Sequence, residues 1–554
     1  MKENLFDAIV IGSGVGGLAT AISLGQHGYK VLVLEKHYVP GGWSHSFTLN
    51  EQRFSPGVHY VGQMGEGEGA NEMYCNLGIA NDLVFFRLNK DGYEHCHIDN
   101  EVFDYPAGID NLINKLGDQF PKERTAIKRY VRLVETVNYQ IQLMPKLKTR
   151  WEKLTAPFRT KYVGKYGLFS LKRVIGWHLK DPMLKAFLNV QCGDHGLPPS
   201  KACFPVHCAV MGHYFNGGYY PLGGGGGIVK AMTNAVKKQG GEVRVKAGVK
   251  KILINDSKEA AGVELENGEI IKSNVIVSNA DPNKTYLGLV GEEYLSKKLV
   301  KKLNKTKYSV TSLILFLTLE IDLEGLGLDS GNYWLVKDEN LDDHFDELTN
   351  GDIAEGDKFP TVFMSCTTLK DPASFDGKHH NFEVITYVSY DCMKEFENLD
   401  DYRTDKYAEF KEKVTNKMLN NVEELIPEVR NHIVTIELGT PKTNQFYIDS
   451  TEGNVYGTEK SLMQVGPLAY RNKSEIGNLY LTGSSTLSHG VTGATSSGVN
   501  AAANILNLQA EDVLKPQGEQ KIRIYEADAP STWPEWVFTK RETKAKRAKS
   551  KSTV

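Results

Sequence analysis

The chain has no CxxC pair among its seven cysteines (Cys75, Cys96, Cys192, Cys203, Cys208, Cys366 and Cys392). An odd count without paired spacing argues against a disulfide framework and fits a reduced, intracellular setting. No stretch approaches the ~20 apolar residues of a membrane-spanning helix. The apolar run in the opening MKENLFDAIVIG is too short for a signal peptide and is broken by Asp7. A large net charge is also missing: 65 Lys/Arg against 68 Asp/Glu leave −3, so no overall field recruits nucleic acid. Ser484, Ser485 and His489 lie in no GxSxG elbow, and His195, Cys203, His207, Cys208 and His213 show no zinc spacing. The sequence therefore assigns neither a serine nucleophile nor a metal.

What is present is a 554-residue globular chain, 41% apolar and 24% charged, long enough for several domains. DAIVI at 7–11 reads as a buried parallel strand, followed by Gly12-Ser13-Gly14-Val15-Gly16-Gly17, a helix to about Gln26, and a second strand, KVLVLE, closing on Glu35. Gly12 permits the tight turn, Gly14 lets a pyrophosphate reach the backbone, and Gly17 lets helix and strand approach. The helix start offers free N–H groups to phosphate, and Glu35 is placed to accept from ribose hydroxyls. An acid at this position favours an unphosphorylated ribose, hence FAD or NAD.

The residues after Glu35, KHYVPGGWSHSF, carry a second glycine pair, Gly41-Gly42. This resembles the FAD enzymes of the amine-oxidase and phytoene-desaturase superfamily. GGWSHSFTLNEQRFSPGVHYVGQMGEG at 41–67, the HYFNGGYYPLGG run at 213–224 and LYLTGSSTLSHGVTGA at 479–494 resemble the retinol saturase family, which is grouped with carotenoid isomerases and phytoene desaturases. The resemblance spans most of 5–300 plus 475–505. It implies an α/β fold: a Rossmann-type FAD-binding domain with an inserted α+β substrate domain. It implies FAD contacts at Gly12, Ser13, Gly14, Val15, Gly16, Gly17, Glu35, Lys36, Gly41, Gly42, Trp43, Ser44, Val249, Gly483, Ser484, Val491 and Thr492. Where many relatives present an acid in the late glycine motif, this chain has Gly483-Ser484-Ser485, whose hydroxyls and N–H groups can serve instead.

Five glycines at 223–227, in PLGGGGGIVKAM, raise the question of a second nucleotide site. The GxGxxG frame fails there, since Ile228 stands where a third glycine is required, and the next strand ends without an acid. The run instead reads as the hinge by which the chain re-enters the FAD domain. The domain plan is then discontinuous: FAD-binding segments at 1–74, 215–299 and 465–510, substrate segments at 75–214 and 300–464, and a C-terminal extension at 511–554 ending in a disordered basic tail.

The resemblance implies flavin-dependent addition or removal of hydrogen across a carbon–carbon double bond of an apolar polyene or isoprenoid, with saturation as the leading reading. Isomerisation and desaturation share the same architecture. Candidate proton handlers are His59, Tyr60, His213, Tyr214, Tyr219, Tyr220 and His489, with His59, Tyr60, His213 and Tyr219 as the four acid/base candidates, since His is a general acid near neutral pH and Tyr can donate a hydrogen bond to developing charge. Rab escort proteins and GDP dissociation inhibitors share the fold without its flavin chemistry, so a prenyl-lipid carrier is the alternative from another class. With one nucleotide fold in view, the electron donor or acceptor is external. Between Lys146 and Lys180, ten basic residues against Glu152 are interleaved with Trp151, Phe158, Tyr162, Tyr166, Phe169 and Trp177. This pattern suits an anionic membrane surface or a solvated basic face. The expected location is the cytoplasm, with peripheral membrane contact as the open alternative.

Overall fold

The computed structural model describes residues 6–147, 149–398 and 404–551, so Lys148 of the basic stretch and residues 552–554 of the tail lie outside the described residues. Five parallel strands, in the order Leu479–Leu481, Ile276–Ser278, Ala8–Ile11, Val31–Leu34 and Glu242–Arg244, make the nucleotide-type sheet. AIVI and VLVL are β-branched or leucine except for Ala8, and are buried on both faces, as strands covered on both sides require. Helix Val15–Gly25 covers one face and packs closely on helix Gly490–Leu506. Small residues allow this approach: a Cβ on Gly498 would lie 2.2 Å from the Gly16 carbonyl oxygen.

A second, seven-stranded sheet is mostly antiparallel, in the order Ile433–Gly439, Thr311–Leu319, His380–Val388, Thr361–Cys366, Asn332–Val336, Glu94–Ile98 and Glu101–Tyr105. The greasy run at 309–323 supplies its strand Thr311–Leu319, buried at every position. Cross-strand register sets two adjacent rows on one face. One row is apolar: Ile314, Ile385, Phe363, Trp334 and Cys96. The next is polar across most of its width: Phe316, Glu383, Ser365, Asn332 and Glu94. Strand side chains alternate, so both rows point the same way.

The five-glycine run ends in helix Gly225–Lys238, and side chains saturate its start. Gly223 N–H donates to Asp371 Oδ2 (2.8 Å), Gly225 N–H to Ser55 Oγ (3.0 Å) and Gly226 N–H to Ser46 Oγ (3.0 Å). Positive φ at Gly223 (77°) and Gly224 (66°) makes the turn that brings these amides into line. With its donors spent on side chains, this helix start is no phosphate cradle.

The C-terminal extension differs from the disordered tail expected above. Arg523–Glu526 adds a parallel strand to Val84–Arg87, and Glu535–Lys551 is a helix. Val537 is fully buried against Val84 and Phe86, and Lys544 Nζ donates to the Ser374 carbonyl (2.7 Å). Trp533, Trp536 and Val537 precede the basic run and anchor it, so tertiary packing overrides a composition that would not fold alone.

Candidate functional site

A cavity of about 440 Å³ runs from the glycine loop to the face of the second sheet, within the range of small-molecule sites. At the nucleotide end it is lined by Gly12, Gly14, Val15, Gly16, Glu35, Lys36, Gly41, Gly42, Trp43, Ser44, Val249, Gly483, Ser484 and Val491. Unlike the second glycine run, helix Val15–Gly25 has no side-chain cap. Its first amides open onto the cavity, where an anion is stabilised by free N–H groups and the helix dipole. Ser13 and Gly17 do not line the cavity but hold its shape. Ser13 donates through N–H (2.9 Å) and Oγ (2.5 Å) to Glu35 Oε2, and its Oγ accepts from Gly41 N–H (3.0 Å). A Cβ on Gly17 would meet the Gly12 carbonyl oxygen at 2.2 Å. Glu35 Oε1 accepts from His37 N–H (2.9 Å), leaving lone pairs of the carboxylate for a ribose. Lys36 is pinned to Asp449 (3.0 Å).

These residues fit a flavin cofactor on their own geometry. Asn279 Oδ1 is buried without a partner between Gly16 and Gly483, and Thr492 Oγ1 and His489 Nδ1 are buried orphans at the start of helix Gly490–Leu506. Buried polar atoms left unpaired in the protein alone mark places where a ligand completes the bonding. Thr492 lies beside the lining residue Val491 without lining the cavity itself.

The far end is lined by His59, Tyr60, Asp194, Ile314, Phe363, Ile385, Tyr387 and Tyr456. Tyr60 lies flat on Tyr214, with ring centroids 4.1 Å apart. Its hydroxyl is 2.5 Å from Glu94 Oε1 and 2.6 Å from Asp194 Oδ2. Glu94 also accepts from Gln191 Nε2 (3.0 Å) and Trp334 Nε1 (3.4 Å). Burial pushes the Asp194 carboxyl well above the usual carboxylate range, and the Glu94 charge beside it adds to the shift. His489 Nε2 lies 3.0 Å from the Asp194 carbonyl oxygen, which can only accept, so Nε2 carries the hydrogen. Burial lowers the His489 pKa to about 3 and keeps the ring neutral.

On the polar row, the fully buried Lys370 ammonium lies between the two glutamates. It donates to the His59 carbonyl (2.9 Å), Ser365 Oγ (2.6 Å) and Asn332 Oδ1. Burial lowers its pKa to about 7, while the charges of Glu383 and Glu94 act to raise it. His59 Nδ1 sits 3.2 Å from Glu383 Oε2. Lys460, also buried, donates to the Ser484 carbonyl (2.6 Å), and burial lowers its pKa to about 7.

Of the four acid/base candidates, His59 and Tyr60 reach the cavity, whereas His213 and Tyr219 do not. His213 Nε2 accepts from Gly62 N–H (2.9 Å), and burial lowers its pKa to about 4, so it serves the backbone. Tyr219 bridges to Val61 in a short strand and packs in the core under Arg87, pointing away from the cavity. Glu94, Asp194, Lys370, Glu383 and Lys460 escaped the sequence reading. Glu94 and Glu383 did leave a signal: each alternates with apolar residues of its own strand, Cys96 and Ile98 in EHCHI, Ile385 and Tyr387 in HNFEVITYV. Cys192, His195 and His207, for which no metal was expected, do meet, with ligand atoms within 4.8 Å of one another. His195 Nε2 and His207 Nδ1 are 3.4 Å apart, and His207 Nε2 pairs with the Leu188 carbonyl.

An uncapped glycine-loop helix, a ribose-facing acid and an apolar extension of the same cavity define a flavin-dependent oxidoreductase. The profile of the family described as flavin containing amine oxidoreductase matches residues 15–506, and the chain belongs to that family. It is 31% identical over 535 residues to the all-trans-retinol 13,14-reductase of Danio rerio, covering 90% of this chain and 86% of that one. It is 29% identical to a chloroplastic prolycopene isomerase of an Oncidium hybrid cultivar, over 90% and 84% of the two chains. Among solved structures, an oxidoreductase from Methanosarcina mazei superposes with a TM-score of 0.60 at 17% identity, over 90% of this chain and 99% of its own, and so shares the fold.

Proposed function

We propose that this chain binds FAD and reduces a carbon–carbon double bond of an apolar conjugated polyene, the retinol saturase-like reaction. The carrying observation is the single cavity that joins the glycine loop to the apolar row Ile314, Ile385 and Phe363 and ends on the Tyr60–Asp194 pair. Bound flavin supplies hydride chemistry. The protein's part is to hold an extended apolar chain against the sheet, exclude water and present a proton donor. A polyene accepts hydride because conjugation spreads the charge that develops, and its apolar surface matches this wall. Relatives named as reductase and as isomerase both support a polyene, and isomerisation is a second outcome of the same site. The electron donor is external on this reading.

The basic stretch supports contact with an anionic membrane. Its helices Arg150–Arg159, Lys161–Tyr166 and Leu171–His178 bury Tyr166 and Leu171, but leave Trp151, Leu154, Phe158 and Leu168 70–82% exposed among lysines and arginines. A polyene has little solubility in water, so a protein seated on a membrane would meet it there.

The test is to purify the protein, identify the released flavin, reduce it anaerobically and add all-trans-retinol. Flavin reoxidation with a shift of the retinoid band to shorter wavelength is expected. A colourless protein that cannot be reconstituted with FAD, or one whose reduced form leaves retinol and cis-carotenes unchanged, refutes the reading.

A further inference from the structure

We propose that Asp194 is the general acid of this site: its carboxyl holds a proton in the resting protein and delivers it to the substrate carbon, with Tyr60 and Glu94 as the residues that position it. The proton-delivery step rests on the polyene reading above, while the presence of the proton rests on geometry alone.

The argument is a count of hydrogens. A tyrosine hydroxyl has one hydrogen, yet Tyr60 Oη lies within 2.6 Å of two carboxyl oxygens, Glu94 Oε1 and Asp194 Oδ2. It can donate to one of them. If the other were ionised, two oxygens would face each other at hydrogen-bond distance with no hydrogen between, in a buried setting where such a clash is at its most costly. One carboxyl must therefore be protonated and donate to Tyr60.

The surroundings decide which. Burial raises the Glu94 pKa as well, but two further donors, Gln191 Nε2 and Trp334 Nε1, and the Lys370 charge act to lower it, and Asp194 has none of these. Glu94 is equipped to stay an anion. Among the described residues, Tyr60 alone hydrogen-bonds the Asp194 side chain, while the Glu94 charge lies nearby. The order is then Asp194–OH to Tyr60, and Tyr60–OH to Glu94. Two like carboxyls held close share one proton in just this way. Asp194, unlike Glu94, lines the cavity, so the proton sits on the member of the pair that a substrate can touch.

The step balances with reduced flavin as reductant. One alkene carbon gains a hydrogen and two electrons as hydride, and the neighbouring carbon gains the Asp194 proton. The π bond is consumed, two C–H bonds form, and Asp194 is left as carboxylate. Tyr60 then turns its hydrogen to the new anion, and Glu94 keeps Gln191 and Trp334; this doubly ionised state is the costly arrangement described above, so it is transient and drives Asp194 to be reprotonated. The site resets when Asp194 takes a proton from water after product leaves.

The test compares the wild-type holoprotein with D194N and D194E. In infrared difference spectra at neutral pH, without substrate, wild type minus D194N should show a carboxylic-acid C=O stretch that shifts in D₂O. No such band overturns the proposal, whatever the substrate. With reduced flavin and all-trans-retinol, D194N should slow flavin reoxidation about 10²- to 10⁴-fold, with flavin content retained. D194E should recover part of the rate, and wild type in D₂O should place solvent deuterium on the carbon that takes the proton, beside the one that takes hydride. D194N turning over at the wild-type rate overturns the catalytic role. Wild type that leaves retinol unchanged while the band is present means that the polyene reading has failed, and proton delivery with it, whereas the protonated pair stands.

Discussion

Replacing Gly17 by alanine places a methyl carbon 2.2 Å from the carbonyl oxygen of Gly12, about 1.2 Å inside the 3.4 Å of an ordinary contact. Neither partner can move alone. Gly12 is held by its N–H to the Leu34 carbonyl (2.8 Å) and by a φ of 90°, and the helix that carries Gly17 is locked against Gly498. The strain falls on the turn that presents Gly14 and the first helix amides to the cavity. Overpacking of this kind costs about 1–3 kcal/mol, and if it is relieved by displacing the loop, flavin affinity falls about 5- to 150-fold. The assay is flavin titration of the apoprotein, read by the visible band, together with thermal melting with and without FAD. Gly176→Ala is the control: it lies in helix Leu171–His178 with nothing within 4 Å of the added carbon, so it should leave flavin affinity unchanged. If G17A binds flavin as tightly as wild type, the close approach does not shape the phosphate site and the assignment of this loop fails.

Lys370→Met removes the ammonium that lies between Glu94 and Glu383. Two carboxyls would remain in a buried row with no counter-charge, at a cost of about 3–5 kcal/mol, seen as a lower denaturation midpoint; a midpoint within error of wild type would mean that Lys370 is held neutral. His207 is fully buried, and its pKa is lowered from 6.5 to about 4. Below pH 6.5 the unfolded chain takes up a proton that the folded one refuses, so stability is lost between pH 6.5 and 4, on the order of 3 kcal/mol from this group. H207Q should show a shallower acid limb in urea melts across that window, and an unchanged slope would refute the attribution. Trp151→Ser with Phe158→Ser should weaken sedimentation with phosphatidylserine vesicles at least tenfold while leaving flavin content intact; equal sedimentation would assign the patch to solvent.

The parallel sheet was legible because each of its requirements is local. A β-branched run, three spaced glycines, a helix and an acid fall within residues 7–35, and each has one physical task. The reason that PLGGGGGIVKAM is not a second cradle was partly legible, in its failed spacing. What occupies its amides was not, because Ser46, Ser55 and Asp371 come from distant parts of the chain. The acid–base end of the cavity was the least visible. Glu94, Asp194, Glu383 and Lys370 stand singly, up to about 290 residues apart: sheet register aligns Glu94 with Glu383, while Asp194 and Lys370 arrive on the short helical segments Val190–His195 and Thr367–Lys370. His213 misled because it neighbours a glycine-rich aromatic run, and in the fold it supports the backbone of Gly62. The tail misled because composition cannot show that Val537 has a pocket to enter.

The order of strands in the parallel sheet also sets a timetable. Its outer strand is Leu479–Leu481, beside Ile276–Ser278, and the helix that locks against the glycine loop is Gly490–Leu506. The chain must therefore extend past residue 506 before both helices at the glycine-loop end of the cavity are in place. Until then the nascent chain must keep its first strand and the Gly17 helix from pairing wrongly, and a product cut short before residue 479 would emerge unable to retain flavin. Flavin retention, read by the visible band, would then report on a purified copy that its closing strand and helix are in place.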